Sequence, residues 1–394
     1  MDPALNPYAP GAGTKPPILA GRDDLVKPAQ IALTRAKNGL HGKSFIAIGL
    51  RGVGKTVVLN RVQELAEDDN YFPIYIEAHD DASLPTLLAP KIRQVLMKIS
   101  RADKAKDIAR RGLAVLKNFA NAVNVKIGEV SIGLDFGDEV GTADSGDIET
   151  DLPELFQIIG EIAAARETVI AFLIDEMQYL KTEELSALVM ALHRVNQRGL
   201  PIVLIGAGLP QLLGKMGESK SYAERLFDFP RVEALSREDA CVAISEPAKS
   251  SGVNFTDEAL EETFNATKGY PYFIQEWGYV AWNMASDSPI GKGDIVAAQP
   301  EAIRRLDESF FRVRLERMTP TERRYIFAMA SLGPGPHSSG DIAKAYGAKV
   351  TTVAPHRSSL IAKGMIYSPA YGTTDFTVPL FDEFIRRELP DWRE

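Results

Sequence analysis

Gly49-Leu50-Arg51-Gly52-Val53-Gly54-Lys55-Thr56 is the stretch around which the rest of the chain is organised. It matches G-x-x-x-x-G-K-[ST], a phosphate-binding loop. Ser44-Phe45-Ile46-Ala47-Ile48 before it is a short apolar run suited to a buried strand. Val57-Val58-Leu59-Asn60-Arg61-Val62-Gln63-Glu64-Leu65 after it is apolar at helical spacing. Strand, glycine loop and helix start are what the chemistry needs. The glycines let backbone N–H groups turn inward, and the helix N-terminus adds partial positive charge. Lys55 can reach the β- and γ-phosphates of ATP, and the Thr56 hydroxyl can ligate Mg²⁺. The nucleotide-binding stretch is thus residues 49–57, with Val57 opening the helix behind the loop.

A chain of 394 residues is long enough for two or three domains. Hydrophobic content of 45% and charged content of 25% are those of a soluble globular protein. The net charge of −8 excludes a molecule coated with basic patches and leaves room for one local basic face. One cysteine excludes a disulfide framework and a zinc knuckle, and the five histidines are scattered without metal-ligand spacing. The N-terminus lacks a basic-then-apolar signal and no run of 18 apolar residues occurs. The expectation is a cytoplasmic protein with no membrane partner.

Residues 1–17 are rich in Pro, Gly and Ala and read as a flexible arm. Ile18-Leu19-Ala20-Gly21-Arg22-Asp23-Asp24-Leu25 leads into a helix that runs to about Asn38. Residues 72–76 read as a second strand, followed by Glu77, His79, Asp80 and Asp81, which suit either a site beyond a strand end or solvated caps. Residues 84–122 are largely helical, with Arg101, Lys104, Lys106, Arg110 and Arg111 on one face. Residues 125–136 alternate like a hairpin, and residues 101–150 read as an insertion in the core domain. Val169-Ile170-Ala171-Phe172-Leu173-Ile174-Asp175-Glu176 is an apolar strand ending in two acids. Paired with the loop, Asp175 can hold Mg²⁺ through water and Glu176 can polarise the attacking water as general base. Residues 202–206 are a fourth apolar run. Four such strands with helical material between them call for a parallel sheet with helices on both faces.

Beyond residue 236 the pattern is helical: 237–249, 257–267, 272–285 and about 300–318. The last 75 residues read as three short helices and two strands around Pro369-Ala370-Tyr371-Gly372, the order of a winged helix. Residues 310–394 hold twelve Lys/Arg and nine Asp/Glu, a local +3 against −11 elsewhere. On the helix 351–363, the expected inner face is Val353, Leu360 and Ile361, and the expected outer face is His356, Arg357 and Lys363.

Taken together, the loop, the Asp175–Glu176 strand, the helical lid and the C-terminal winged helix resemble AAA+ ATPases of the origin-recognition-like and archaeal-ATPase-like branch. The resemblance implies four parts: a flexible arm (1–17), an α/β P-loop NTPase core (18–235), an all-α lid (236–305) and a winged helix (306–394). It also implies that Arg225, with Arg231 as the alternative, is the arginine finger reaching a neighbouring subunit's γ-phosphate. Two departures stand out. The strand ending Gly206-Ala207-Gly208 lacks the usual polar sensor side chain. The lid has Tyr270-Pro271-Tyr272 where many members place a nucleotide-sensing arginine, a Gly-x-Pro pattern that resembles signalling ATPases in which the proline, here Pro271, approaches the nucleotide base. Both departures imply slow hydrolysis, suited to a switch. The expected partners are ATP and ADP, further copies of the chain assembled by ATP, and either duplex DNA through residues 319–390 or a protein docked on the winged helix.

Overall fold

The computed structural model describes residues 1–11, 13–100, 106–125, 141–219 and 223–389. The chain forms two compact units. One comprises Arg22–Gly49 and Val58–Arg231, the other Met1–Gly21, Leu50–Val57 and Val232–Glu394.

The first unit is built on a parallel sheet of β1 (Ser44–Gly49), β2 (Phe72–Glu77), β3 (Ile170–Asp175), β4 (Ile202–Gly208) and β5 (Phe227–Asp228), in the order β2-β3-β4-β1-β5. Every residue of β1, β3 and β4 is buried, whereas β2, at an edge, is half-buried. Strands covered on both faces need apolar residues at every position, which is why they are continuous runs in the sequence. Two-residue strands such as β5 and β6 (Arg231–Val232), where the chain leaves this unit, carry no such signal.

Helices α1 (Asp23–Lys37), α2 (Lys55–Asp68), α3 (Leu84–Ser100), α4 (Lys106–Ala122), α5 (Ile148–Ala165) and α6 (Thr182–Gln197) follow in chain order, with the short α7 (Leu212–Ser219) and α8 (Ala223–Leu226) after β4. The segment expected to be an insertion is not an appendage where it is described. Leu113, Val115, Leu116 and Phe119 of α4 are buried in the same core as α3, α5 and the sheet. Asp147 caps α5, its side chain accepting from the Glu149 N–H at 3.2 Å. The hairpin expected at 125–136 lies outside the described residues apart from Val125, as do Arg101 and Lys104.

The second unit holds the helices α9 (Arg237–Ser250), α10 (Asp257–Thr267), α11 (Pro271–Met284) and α12 (Lys292–Leu306). The last starts earlier than its sequence suggests because Asp294 caps it, accepting from the Gly291 N–H at 2.8 Å. A π-turn (Asp307–Phe311) joins α12 to α13 (Arg312–Glu316). Then come α14 (Pro320–Ala330), β7 (His337–Ser338), α15 (Ser339–Tyr346), α16 (Val350–Ala362), β8 (Ile366–Tyr367), β9 (Thr373–Phe376) and α17 (Phe381–Glu388). The three strands pair antiparallel in the order β7-β9-β8. Phe311, Phe381 and Phe384 are all buried, with ring centroids 5.3–5.8 Å apart, and fasten α17 to the π-turn.

The expectation of a flexible arm at 1–17 is corrected. Tyr8 is buried, its ring lies over Gly278 and its hydroxyl donates to the Ile244 carbonyl. Asn6 donates to the Tyr279 carbonyl at 3.0 Å and to Asn283 Oδ1 at 2.9 Å, and Trp282 Nε1 donates to the Asp2 carbonyl at 2.9 Å. A Pro/Gly-rich segment lacks periodicity, yet one aromatic and one amide suffice to dock it on α9 and α11.

Candidate active site

The phosphate loop belongs to the unit of the lid. Gly52 and Gly54 have φ of 79° and 94°, a left-handed backbone that glycine adopts without strain. Val53 is buried beneath the loop, and Lys55 is the first residue of α2. Lys55 Nζ folds back over the loop to donate to the Leu50 carbonyl at 2.8 Å. The loop thus carries the backbone turns, the helix start and the lysine reach that a nucleotide polyphosphate requires, and Thr56 follows on the first turn. Arg51 and Val57 flank this core of the motif. A Cβ on Gly52 would lie 3.0 Å from Tyr270 Cε1 and 3.5 Å from Tyr272 Cβ. The loop is packed against the start of α11, in the same unit as the lid. Pro271, at the first position of α11, is half-buried between these two tyrosines in sequence.

A second group of candidate residues lies at the carboxyl ends of β3 and β4, in the sheet unit. Asp175 is 2% exposed. Its carboxylate accepts from the Glu176 N–H at 2.8 Å and from the Tyr75 hydroxyl at 3.3 Å. Burial, and then the charge of Asp175, raise the Tyr75 hydroxyl well above its ordinary range and keep it a donor. Glu176 has left-handed backbone angles, φ 53° and ψ 37°, a strained conformation for a non-glycine residue. Glu77 lies opposite Asp175 across the β2–β3 ladder and is exposed, as are His79, Asp80 and Asp81.

Gln178 is a site residue that sequence reasoning missed. Buried, it donates from Nε2 to the Glu176 carboxylate, while its Oε1 accepts from the Leu209 N–H at 3.0 Å. It ties the end of β3 to the end of β4, where the strand has no polar side chain of its own. The glycines of β4 leave room for its neighbours more than for itself: a Cβ on Gly206 would lie 2.2 Å from Met177 Sδ, and one on Gly208 would lie 2.5 Å from Leu212 Cδ2 and 3.2 Å from Gln178 Oε1. The available signal was the pair Gly206 and Gly208 in an otherwise bulky strand.

Arg225 lies on the short α8 and is exposed, as is Arg231, and no described residue forms an ion pair with either. On the C-terminal helix α16, Val353 and Leu360 are buried as expected. The basic outer face is corrected. Arg357 Nε donates to Thr374 Oγ1 at 2.8 Å, and its Nη2 donates to Ser368 Oγ and the Thr373 carbonyl. Lys363 pairs with the buried Glu322 at 2.7 Å. The residues that α16 exposes are Val350, Thr351, Thr352, Ala354, Pro355, Ser358 and Ala362, all uncharged. No helix among the described residues is long and apolar enough to cross a membrane.

Comparison with known proteins agrees with this geometry. The AAA ATPase domain family matches residues 18–205, and a domain of unknown function (DUF8462) matches residues 308–385. No curated protein matches the chain in sequence. Among solved structures, the Walker-type ATPase of Pyrococcus abyssi superimposes with a TM-score of 0.59 at 13% identity, over 93% of this chain and 96% of its own. The ORC2 protein of Aeropyrum pernix, solved as ADPNP–ADP complexes, gives a TM-score of 0.52 at 16% identity, over 96% and 97%. At such identities the likeness is one of fold. Residues 18–205, which hold the loop and the acidic strand, therefore form an AAA ATPase domain, in a chain that shares its fold with these two structures over nearly its whole length.

Proposed function

We propose that the chain is an ATP-driven switch in the cytoplasm: it binds MgATP at residues 49–57, hydrolyses it slowly, and uses the nucleotide state to reset its C-terminal module. The observation that carries this reading is the loop itself. Its glycines hold left-handed turns and its lysine folds back over the loop to the Leu50 carbonyl. Thr56 and Asp175 would hold Mg²⁺, which would supply charge neutralisation at the phosphates. Glu176 serves as general base, kept in place by Gln178. Arg225 serves as the finger in trans between ATP-assembled copies, and Pro271 flanks the base. The strained Glu176 backbone and the absence of a polar side chain on β4 favour slow turnover.

The test is calorimetric titration of ATP into the full chain and into Lys55→Ala. Loss of a charge-assisted phosphate contact should weaken binding by about 2–4 kcal/mol. Unchanged affinity would overturn the reading.

The C-terminal module, with its helix, strand, two helices and two-stranded tip in order, is taken as a winged helix. The bonding of Arg357 and Lys363 favours a protein partner over duplex DNA, because the exposed face of α16 offers no cation to a phosphate backbone. Fluorescence anisotropy with labelled duplex at low salt, with ATP, decides between them. Binding that vanishes in Lys344→Glu/Lys349→Glu, two exposed lysines beside this helix, would restore the DNA reading.

A further inference from the structure

Arg314 of α13 has an environment that its own module does not explain. Its guanidinium lies 3.7 Å above the Phe310 ring and donates to the Phe310 carbonyl at 2.6 Å. Among the described residues no carboxylate pairs with it. The charged groups that act on it most strongly are cations, Arg51 of the phosphate loop and then Arg317, and the Tyr270 and Tyr272 hydroxyls act the other way. Burial, and then Arg51, push the guanidinium down to about 10. The Tyr270 hydroxyl is itself buried without a hydrogen-bond partner.

These groups adjoin the phosphate loop. The Phe310 ring stacks on Tyr272 with centroids 4.6 Å apart. Tyr272 Cβ and the Tyr270 hydroxyl each lie 3.5 Å from where a Cβ on Gly52 would stand. A half-buried guanidinium stacked on a ring, next to a second guanidinium and without a carboxylate, is stabilised by an anion that both can reach. The neighbouring loop is built to hold one, and guanidinium groups match phosphate oxygens in geometry.

We propose that Arg314 and Arg51 together bind the terminal phosphate of the nucleotide held by the loop, so that α13 reads triphosphate from diphosphate for the C-terminal module. This rests on the ATP-switch reading and names how the switch is sensed. Arg314 follows the π-turn directly and precedes α14 by a few residues. A phosphate bound or released at its guanidinium therefore acts at the root of the C-terminal module.

The experiment is calorimetric titration of the full chain with a non-hydrolysable ATP analogue, with ADP and with inorganic phosphate. It compares the unmutated protein with Arg314→Gln, Arg314→Lys and Arg51→Gln, each checked for an unchanged melting transition. Affinity for the triphosphate should fall about 10- to 100-fold in Arg314→Gln, while ADP affinity changes less than about threefold. Arg314→Lys should lie between, since a point charge lacks the fork. If Arg314→Gln does not fold, Arg51→Gln alone must show the same loss of triphosphate preference. A preference unchanged in the arginine variants overturns this inference and leaves the switch reading standing. Failure of the unmutated chain to bind either nucleotide removes both. Inorganic phosphate binding that depends on Arg314 but not on Lys55 would overturn the nucleotide assignment in favour of a free-anion site.

Discussion

Lys55 and Lys363 are both lysines bonded within their own unit, and they differ in what a ligand can do to those bonds. Lys55 donates to a backbone carbonyl of its loop, Leu50, at 2.8 Å. A phosphate can replace that neutral acceptor with a charged one and gain energy. Lys363 pairs at 2.7 Å with a carboxylate that is 4% exposed. A ligand that drew Lys363 away would strand a buried anion. Arg357 is held the same way, by three acceptors of the β8–β9 tip. The availability of a cation is therefore set by its present partner, and neither its charge nor its place on a helix reveals that partner.

The same distinction applies to Glu176, and it gives the largest expected effect. Its carboxylate is held by the neutral amide of Gln178, an exchangeable partner. Glu176→Gln should leave the fold and ATP affinity intact and lower phosphate release by about 10²–10⁴. Stopped-assay phosphate release with parallel calorimetry checks this. Turnover at the unmutated rate would mean that Glu176 is not the base. A loss of ATP affinity would mean that its bond to Gln178 is structural, as that of Lys363 is.

Lys363→Met should behave in the opposite way. Glu322 would keep its bonds from Ser359 Oγ and the Thr319 N–H, both at 2.7 Å, and lose its cation. The expected cost is about 1.5–3 kcal/mol of stability, with ATP affinity unchanged. Urea unfolding monitored by circular dichroism measures it. A variant as stable as the parent would show the lysine to be free for a ligand after all, and would reopen the DNA reading.

The parts of this molecule legible in sequence are those in which backbone geometry is the function or burial is uniform. The phosphate loop needs glycine at 52 and 54 whatever surrounds it. The central strands are apolar at every position because both faces are covered. What was illegible depends on partners distant in sequence. Tyr8 docks on a helix some 270 residues later, across Gly278. Gln178 acquires its role from the Leu209 N–H that it meets beside Gly208, at the end of β4, and Arg314 from its proximity to Arg51. The basic face expected on α16 is the instructive failure. Arg357 and Lys363 fall on its outer side by periodicity, yet α16 packs against α14, whose Glu322 takes one, while the tip strands take the other.

The smallest expected effect, and the sharpest test of how firmly Lys363 is held, is the acid limb of stability. Glu322 is buried, which by itself raises its carboxyl pKa. The bonds from Lys363, Ser359 and the Thr319 backbone outweigh that burial and hold it down, from an ordinary 4.5 to about 2. The folded value lies below the unfolded one, so the unfolded chain takes up the proton first as pH falls. The contribution of Glu322 is then complete above about pH 4.5 and is lost as pH falls through about 2. Other carboxylates titrate in the same window, so the readout is a difference. Melting of the full chain from pH 6 to about pH 2 should fall more steeply for the unmutated protein than for Glu322→Gln. The two curves should draw together toward the acid end, where Glu322 begins to take up its proton in the folded state as well. Parallel curves across that window would mean that the carboxylate is not held by Lys363 in solution. The lysine would then be as exchangeable as Lys55, and the contrast between the two would fail.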